Sequence, residues 1–278
     1  MSGIQAPDKE TMEACRLYVD NLIKPIHSLG KLEDIAVRLA GITGKIKPGK
    51  LNKAIVIMAG DTAVDGENKT GGKTSLTEVQ MASRGLGTVS AVARTLGAPV
   101  YLIDVGLEQN TNDIEGVLTN KVVYGTHRGN PALDQDAVSA AISIGMSVAR
   151  TLAVQGIQAV GLGNIGERSL LSALGVTAAI MKKELQENSL KDGFSLHMDD
   201  VGNMANDPVG VLSRVGSAEI AGLFGLVVQA AREKIAIVFD NAVTGAAVLA
   251  AIEVYPEVRD YVFPSAAYNE PVHQRSGE

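Results

Sequence analysis

The sequence has no tryptophan, a single cysteine and only 4% aromatic residues, and each shortage excludes something. Cys15 has no second cysteine with which to form an internal disulfide or a thiolate metal cluster, a usage that fits a reducing cytoplasm. The scarcity of aromatic rings argues against stacking platforms for bases or sugars. Positive charge is also in short supply: 25 Lys and Arg stand against 31 Asp and Glu, a net charge of −6, so no cationic surplus exists to neutralise a phosphate backbone. Nucleic acid is therefore not an expected partner. His27, His127, His197 and His273 lie far apart without metal-ligand spacing, and neither a metal nor a cofactor is expected. No apolar run reaches the roughly 20 residues of a membrane span. The best candidate, 235–254, is interrupted by Asp240, Asn241 and Glu253. The first ten residues lack the basic flank and apolar stretch of a secretory signal. These readings predict a soluble cytoplasmic protein with no membrane partner.

What is present is ordinary globular material: 278 residues, 46% hydrophobic and 20% charged, enough for two domains or one large one. Two helical patterns open the chain, 11–23 and 29–41, separated by Pro25. Short continuous apolar runs follow at 53–60 and 99–106, each ending in glycine, and read as strands buried on both faces of a parallel sheet. Further strands are expected at 121–125, 159–162, 234–240 and 261–264. Helices are expected at 75–96, 134–154, 169–185, 219–232 and 246–254. This alternation predicts an α/β fold, an open parallel Rossmann-like sheet with helices on both faces. The opening helices predict a small helical domain over 1–45, with the α/β domain over 46–278. In such sheets ligands bind beyond the carboxyl ends of the strands, where Gly60-Asp61, Asp104-Val105-Gly106, Gly161 to Gly166, Asp240-Asn241 and Ser265 recur as a polar floor.

Three segments could carry chemistry. Gly161-Leu-Gly-Asn-Ile-Gly166 is a literal G-x-G-x-x-G between a strand and a helix, whose glycines would bring backbone N–H groups to a phosphate. Read alone it implies an NAD-binding Rossmann oxidoreductase. The acid that such a fingerprint needs some 20 residues on could only be Glu184 or Glu187, which sit in a helical pattern. A mononucleotide or sugar phosphate remains open as the ligand, as does a purely structural turn. Gly66-Glu-Asn-Lys-Thr-Gly-Gly-Lys-Thr74 resembles a phosphate-binding P-loop but has five residues where the motif has four, so Lys73 and Thr74 are read as part of a solvated loop. His197-Met-Asp-Asp-Val-Gly202 offers carboxylates, Asp199 and Asp200, to a proton or a cation, and is equally a solvated turn.

Several segments, in order, resemble the nicotinate-nucleotide:dimethylbenzimidazole phosphoribosyltransferase family. They are Lys24-Pro25 with Ser28-Leu-Gly-Lys-Leu-Glu33, Leu39-Ala-Gly-Ile42, Met58-Ala-Gly-Asp61, Glu78-Val-Gln-Met81, Ala93-Arg94, Ile103-Asp-Val-Gly106, Gly125-Thr126 with Asn130-Pro-Ala132, Gly216-Ser-Ala-Glu-Ile-Ala221, Asp240, and Ser265 with Glu270-Pro271 and His273. The resemblance implies a Rossmann-like large domain, a small helical domain built from both termini, and a dimer. It implies attack of an aromatic base on the ribose C1′ of nicotinate mononucleotide, expelling nicotinate and inverting to an α-ribotide used as the lower-ligand nucleotide of cobamides. Carried onto this chain, it makes Asp61, Gln80, Gly161, Gly163, Asn164, Gly166, Glu167, Arg168 and Asp240 the substrate-binding candidates, with Gln80 at the base slot.

The chain departs from the family pattern where acids are needed. Leu162 stands at the position of an active-site glutamate, and Glu167 replaces a neutral asparagine at the phosphate, a repulsive exchange that Arg168 next door could offset. Thr62-Ala63 replaces His-Gly after Asp61, and Ala266 replaces the histidine after Ser265. The family's catalytic glutamate lies in a segment beyond position 278, so no catalytic residue is assigned. These departures resemble the shorter partner of the heterodimeric enzyme that ribosylates phenolic bases. They imply a phosphoribosyltransferase subunit, not catalytic itself, paired with a full-length homologous subunit, and an apolar face on the small domain left for association. A self-sufficient transferase with its base relocated to Asp61, Asp199 or Asp200, and a catalytically dead scaffold protein, are the rival expectations. Gly166→Asp is expected to block nucleotide binding by placing a carboxylate at the phosphate.

Overall fold

The computed structural model describes residues 3–62, 72–123, 132–181 and 207–266. Helices α1 (Lys9–Asp20) and α2 (Lys31–Thr43) form a hairpin around Met12, Cys15, Val19, Val37 and Ala40. Asp8 caps α1 by accepting from Thr11 N (2.8 Å), and Gly44 ends α2 in a left-handed turn. The connection folds over the buried Glu33 carboxylate, which takes Lys24 Nζ (2.8 Å) and Leu29 N–H (3.1 Å) and is held below the usual carboxylate range by them. Asp20 and His27 bring ligand atoms within 4.8 Å of Glu33, a grouping that histidine spacing alone could not reveal; the Lys24 ammonium already supplies the cation. Arg38 ties the hairpin to the body, donating to the carbonyls of Arg259 (3.0 Å) and Val262 (2.8 Å) while stacking 4.2 Å from the Phe263 centroid.

The body is a parallel sheet of β1 (Lys53–Gly60), β2 (Val100–Gly106), β3 (Val117–Thr119), β4 (Ala159–Ile165), β5 (Ala236–Phe239) and β6 (Val262–Pro264), in the order β3-β2-β1-β4-β5-β6. The expected fold class is the observed one. Side chains alternate across β1. Val56 and Met58 enter the larger core under α5 (Gln135–Val154), α8 (Ala218–Arg232) and α9 (Ala242–Val254), whereas Ile57 and Ala59 meet Val79 of α3 (Lys73–Ser83) on the other face. α5 is long and apolar enough by composition to cross a membrane, a candidate that the sequence reading passed over; here it lies along α8. The two backbones touch. A Cβ on Gly145 would overlap the Gly222 carbonyl, and one on Gly225 would overlap that of Ile142.

Two expectations need correction, and one helix has no counterpart among the expected elements. The helix expected over 75–96 is two, α3 and α4 (Thr88–Leu96), because Gly85 and Gly87 both adopt positive φ (71° and 103°) between them. The strand expected at 121–125 is instead β3. Past Thr119 the chain stays on β2 through single bonds from Asn120 N and Val122 N, while Lys121 turns inward to the carbonyls of Leu107 and Gln109 (2.6 Å each). Helix α7 (Pro208–Val215), with Pro208 in its first turn and Asp207 as its cap, was not anticipated. Helix α6 (Ser169–Met181) starts where expected.

Candidate active site

Strand order reverses between β1 and β4, the place where a doubly wound sheet opens a crevice. Asp61 leaves β1 at a register slip between Ala59 and Gly60 and is 3% exposed. Its Oδ1 accepts from Ser75 Oγ (2.5 Å) and Glu167 N (2.8 Å), and its Oδ2 from Glu108 N (2.9 Å). One carboxylate thus joins the loops beyond β1, β2 and β4 to the first turn of α3. Glu167 adds a second tie, accepting from Gly72 N (3.3 Å) and Thr74 N (3.0 Å) at the start of α3. A carboxylate across the N-terminus of a helix completes its donors and complements its dipole. Asp104 is buried beneath, accepting from Gly106 N (3.0 Å), Leu107 N (2.8 Å) and the Thr111 hydroxyl, with Lys121 Nζ at 3.4 Å.

Two clefts flank this seam. One, of about 310 Å³, is lined by Asn164, Gly166, Ser169, Asp240 and Asn241, at the starts of α6 and α9. Asn241 caps α9 in a capping box with Thr244 and donates to Asn164 Oδ1 (3.0 Å). The other, of about 770 Å³, lies between α3 and the loop 110–116, with Gln80, Leu76, Arg84 and Ile114 among its walls. The first offers amide groups and a helix start to an anion; the second is a mostly polar groove in which Leu76 and Ile114 are the apolar side chains beside Gln80, Arg84, Asp113 and Glu115.

Beneath the first cleft Glu219 is fully buried at the start of α8. Its Oε1 accepts from Ser217 Oγ (2.7 Å); its Oε2 has no hydrogen-bond partner among the described residues. Burial pushes its pKa from 4.5 up to about 7, with Asp61 adding to the rise and the Ser169 and Ser217 hydroxyls opposing it. A carboxyl raised in the fold costs nothing below its unfolded pKa. The cost of ionising it grows from about pH 4.5 and is complete above about pH 7. Glu219→Gln should accordingly leave the melting temperature near pH 4 unchanged and stabilise the fold at pH 8, on the order of 3 kcal/mol. Calorimetric melts of both proteins across that range check it.

The sequence-named residues divide. Asn164, Gly166 and Asp240 line the first cleft together. Gln80 lines the second. Gly161 and Gly163 do not form a loop: they lie inside β4, paired with Ile55 and Ile57, so the G-x-G-x-x-G is strand for most of its length and makes no dinucleotide turn. Leu162 packs into the larger core. Glu167 faces the amides of α3, not an open phosphate site as its motif position implied. Arg168 turns the chain into α6 with φ 64°. Lys73 and Thr74 belong to α3, not to a solvated loop. Gly166 sits where a Cβ would overlap the Gly60 carbonyl oxygen and stand 2.5 Å from Ser169 Oγ, so Gly166→Asp would report on packing and cannot serve as a test of the phosphate. Glu184, Glu187, Asp199, Asp200, Glu270 and His273 lie outside the described residues. Sequence reasoning missed Ser169 and the Ser75 hydroxyl, and it placed Glu219 in a resemblance motif, Gly216-Ser-Ala-Glu-Ile-Ala221, without a role in the site. The Asn241-x-x-Thr244 capping signature was there to be read.

A doubly wound sheet with an amide-lined cleft at the strand ends next to its reversal defines an α/β protein of the Rossmann-like class, and the phosphoribosyltransferase family model matches residues 4–278. The chain is 34% identical to the nicotinate-nucleotide–dimethylbenzimidazole phosphoribosyltransferase of Alkaliphilus metalliredigens, covering 96% of this chain and 81% of that protein. It is 33% identical to the enzyme of the same name from Acetivibrio thermocellus, covering 95% and 80%. The crystal structure of the Thermus thermophilus nicotinate-nucleotide–dimethylbenzimidazole phosphoribosyltransferase superposes with a TM-score of 0.84 at 26% identity, over 97% of this chain and 85% of that one. This chain belongs to the nicotinate-nucleotide–dimethylbenzimidazole phosphoribosyltransferase family.

Proposed function

We propose that this chain serves transfer of the phosphoribosyl group of nicotinate mononucleotide to an aromatic lower-ligand base, benzimidazole or phenolic, as a subunit paired with a full-length homologue. The 5′-phosphate occupies the cleft of Asn164, Gly166, Ser169 and Asn241, and Asp240 on its rim accepts from a ribose hydroxyl. The flat base lies in the second cleft, with its edge on Gln80. The base nucleophile bonds to C1′ as the bond to nicotinate breaks on the opposite face, and the proton of the incoming base must go to a carboxylate.

The observation that carries the subunit reading is the occupation of the acids at the seam. Asp61 already accepts from three donors and Glu167 from two backbone amides. The glutamate position of the family motif is filled by Leu162, 5% exposed in the larger core. A base supplied by the partner completes the chemistry. The hairpin adds support: Leu17, Ile23, Ile26, Leu29 and Leu32 are exposed on α1, α2 and their connection, the apolar face that a small domain would cover on pairing. The helices of 1–45 are the N-terminal part of that domain.

The test is chromatographic detection of nicotinate released from nicotinate mononucleotide with dimethylbenzimidazole or phenol. Turnover is expected only when this chain is mixed with a full-length homologue. Turnover by this chain alone would overturn the subunit reading. A scaffold would give neither turnover nor a rise in melting temperature with the mononucleotide.

A further inference from the structure

Glu219 is the one fully buried acid whose oxygen stands unpartnered beside a candidate ligand cleft among the described residues. It is pressed against the end of β1: a Cβ on Gly60 would lie 2.6 Å from Oε2. On its other side is Ser169, the first residue of α6, whose hydroxyl reaches Gly166 O (3.2 Å) and which also lines the cleft. Ser169 is therefore placed between a buried carboxyl and an open anion site. Among the described residues, the groups facing Glu219 are few. Asp61 faces it from just beyond β1, Ser169 from the start of α6 and Ser217 from the turn before α8, and of these only Asp61 is an acid.

We propose that Glu219 is a positioning residue that sets the direction of the Ser169 hydroxyl, and through it the affinity of the cleft for a phosphomonoester. With Glu219 neutral, its O–H donates to Ser169 Oγ, and the serine proton is left for a phosphate oxygen in the cleft. With Glu219 ionised, the carboxylate draws the serine proton to itself and presents lone pairs to the anion, which is repulsive. No bond is made or broken beyond the shared proton. Burial and the facing Asp61 hold the neutral form to near neutral pH, so both states are accessible under ordinary conditions. This inference rests on the reading of the first cleft as the phosphate site.

The experiment compares binding of nicotinate mononucleotide and of nicotinate riboside by titration calorimetry, to the full chain and to Glu219→Gln, from about pH 5.5 to about pH 8.5. A glutamine amide donates to Ser169 at every pH and copies the neutral acid. The ratio of mononucleotide affinities, Gln variant over unmodified chain, cancels the ionisation of the ligand's own phosphate. It is expected to rise about tenfold from the acid to the alkaline limb, the worth of one hydrogen bond to a charged group. A ratio that stays constant with pH overturns the role of Glu219. Equal affinity for mononucleotide and riboside in the unmodified chain overturns the phosphate cleft itself. Should Glu219→Gln fail to fold, Ser169→Ala in the native background reads the same coupling: its ratio to the unmodified chain must then change with pH, and a constant ratio again overturns the proposal.

Discussion

Asp61→Ala is expected to destabilise the fold by about 5 kcal/mol, because three donors lose their acceptor at once and buried unsatisfied donors cost about 1–3 kcal/mol each. The donors are Ser75 Oγ, Glu108 N and Glu167 N. The Ser75 hydroxyl is the donor worst placed to find water, since Asp61 is 3% exposed and Thr62 and Ser75 are also buried, whereas Glu108 and Glu167 are partly exposed. The loss should appear in urea melts without any ligand, which separates it from a substrate-binding role. If Asp61 instead held substrate, the ligand-free stability would change little and only the affinity for nicotinate mononucleotide would fall. Asp61→Asn should lie between the two. Its amide oxygen keeps some of the acceptor capacity, while its NH2 group opposes one of the donors.

Gly166→Ala should be worse tolerated than its single methyl suggests, with a loss of at least about 4 kcal/mol or no folded protein. The added Cβ would overlap the carbonyl oxygen of Gly60 and press on Ser169 Oγ at 2.5 Å. The first of these is backbone at a strand end, with Gly60 paired to β2 and its neighbour Ala59 paired to both β2 and β4, so it cannot swing away as a side-chain tip would. Circular dichroism melts of Gly166→Ala beside Gly161→Ala make the contrast. A Cβ on Gly161 meets Ile55 Cγ1 at 3.6 Å, ordinary packing, and that variant should stay folded. Near-equal stability of the two would show that β1 and β4 can separate at their carboxyl ends.

These two positions also show how far the sequence could be read. The sheet was legible because β1 and β2 are continuous apolar runs ended by glycine, and a strand buried on both faces leaves that pattern. Asp61 and Gly166 were legible as members of the floor at the strand ends. Their partners were not. Glu167 reads as a charge beside a phosphate until one sees that α3 begins opposite it, a contact between residues 93 positions apart. The glycine motif misled for a related reason: spacing does not say whether a glycine lies in a turn or in a strand, and β4 runs on to Ile165 before it turns. Glu219 stood in the Gly216-Ser-Ala-Glu-Ile-Ala221 segment of the resemblance, but its burial left no local signal, because it comes from β1 and α6 closing over the first turn of α8.

The seam between β1 and β4 has a bearing on how the molecule comes into being. Asp61 and Glu167 are separated by 106 residues, and β2, β3 and α5 lie between them in sequence. The chain must close that long loop before the central pairing returns any stabilisation, which places this protein among the slower folders of its size. During synthesis the first half leaves the ribosome with one edge of β1 bare, an apolar strand without its neighbour until β4 emerges. The cleft beside the seam is therefore among the last parts to be assembled, because both of its walls, from Asn164 to Leu170 and from Asp240 to Val243, come from the second half of the polypeptide.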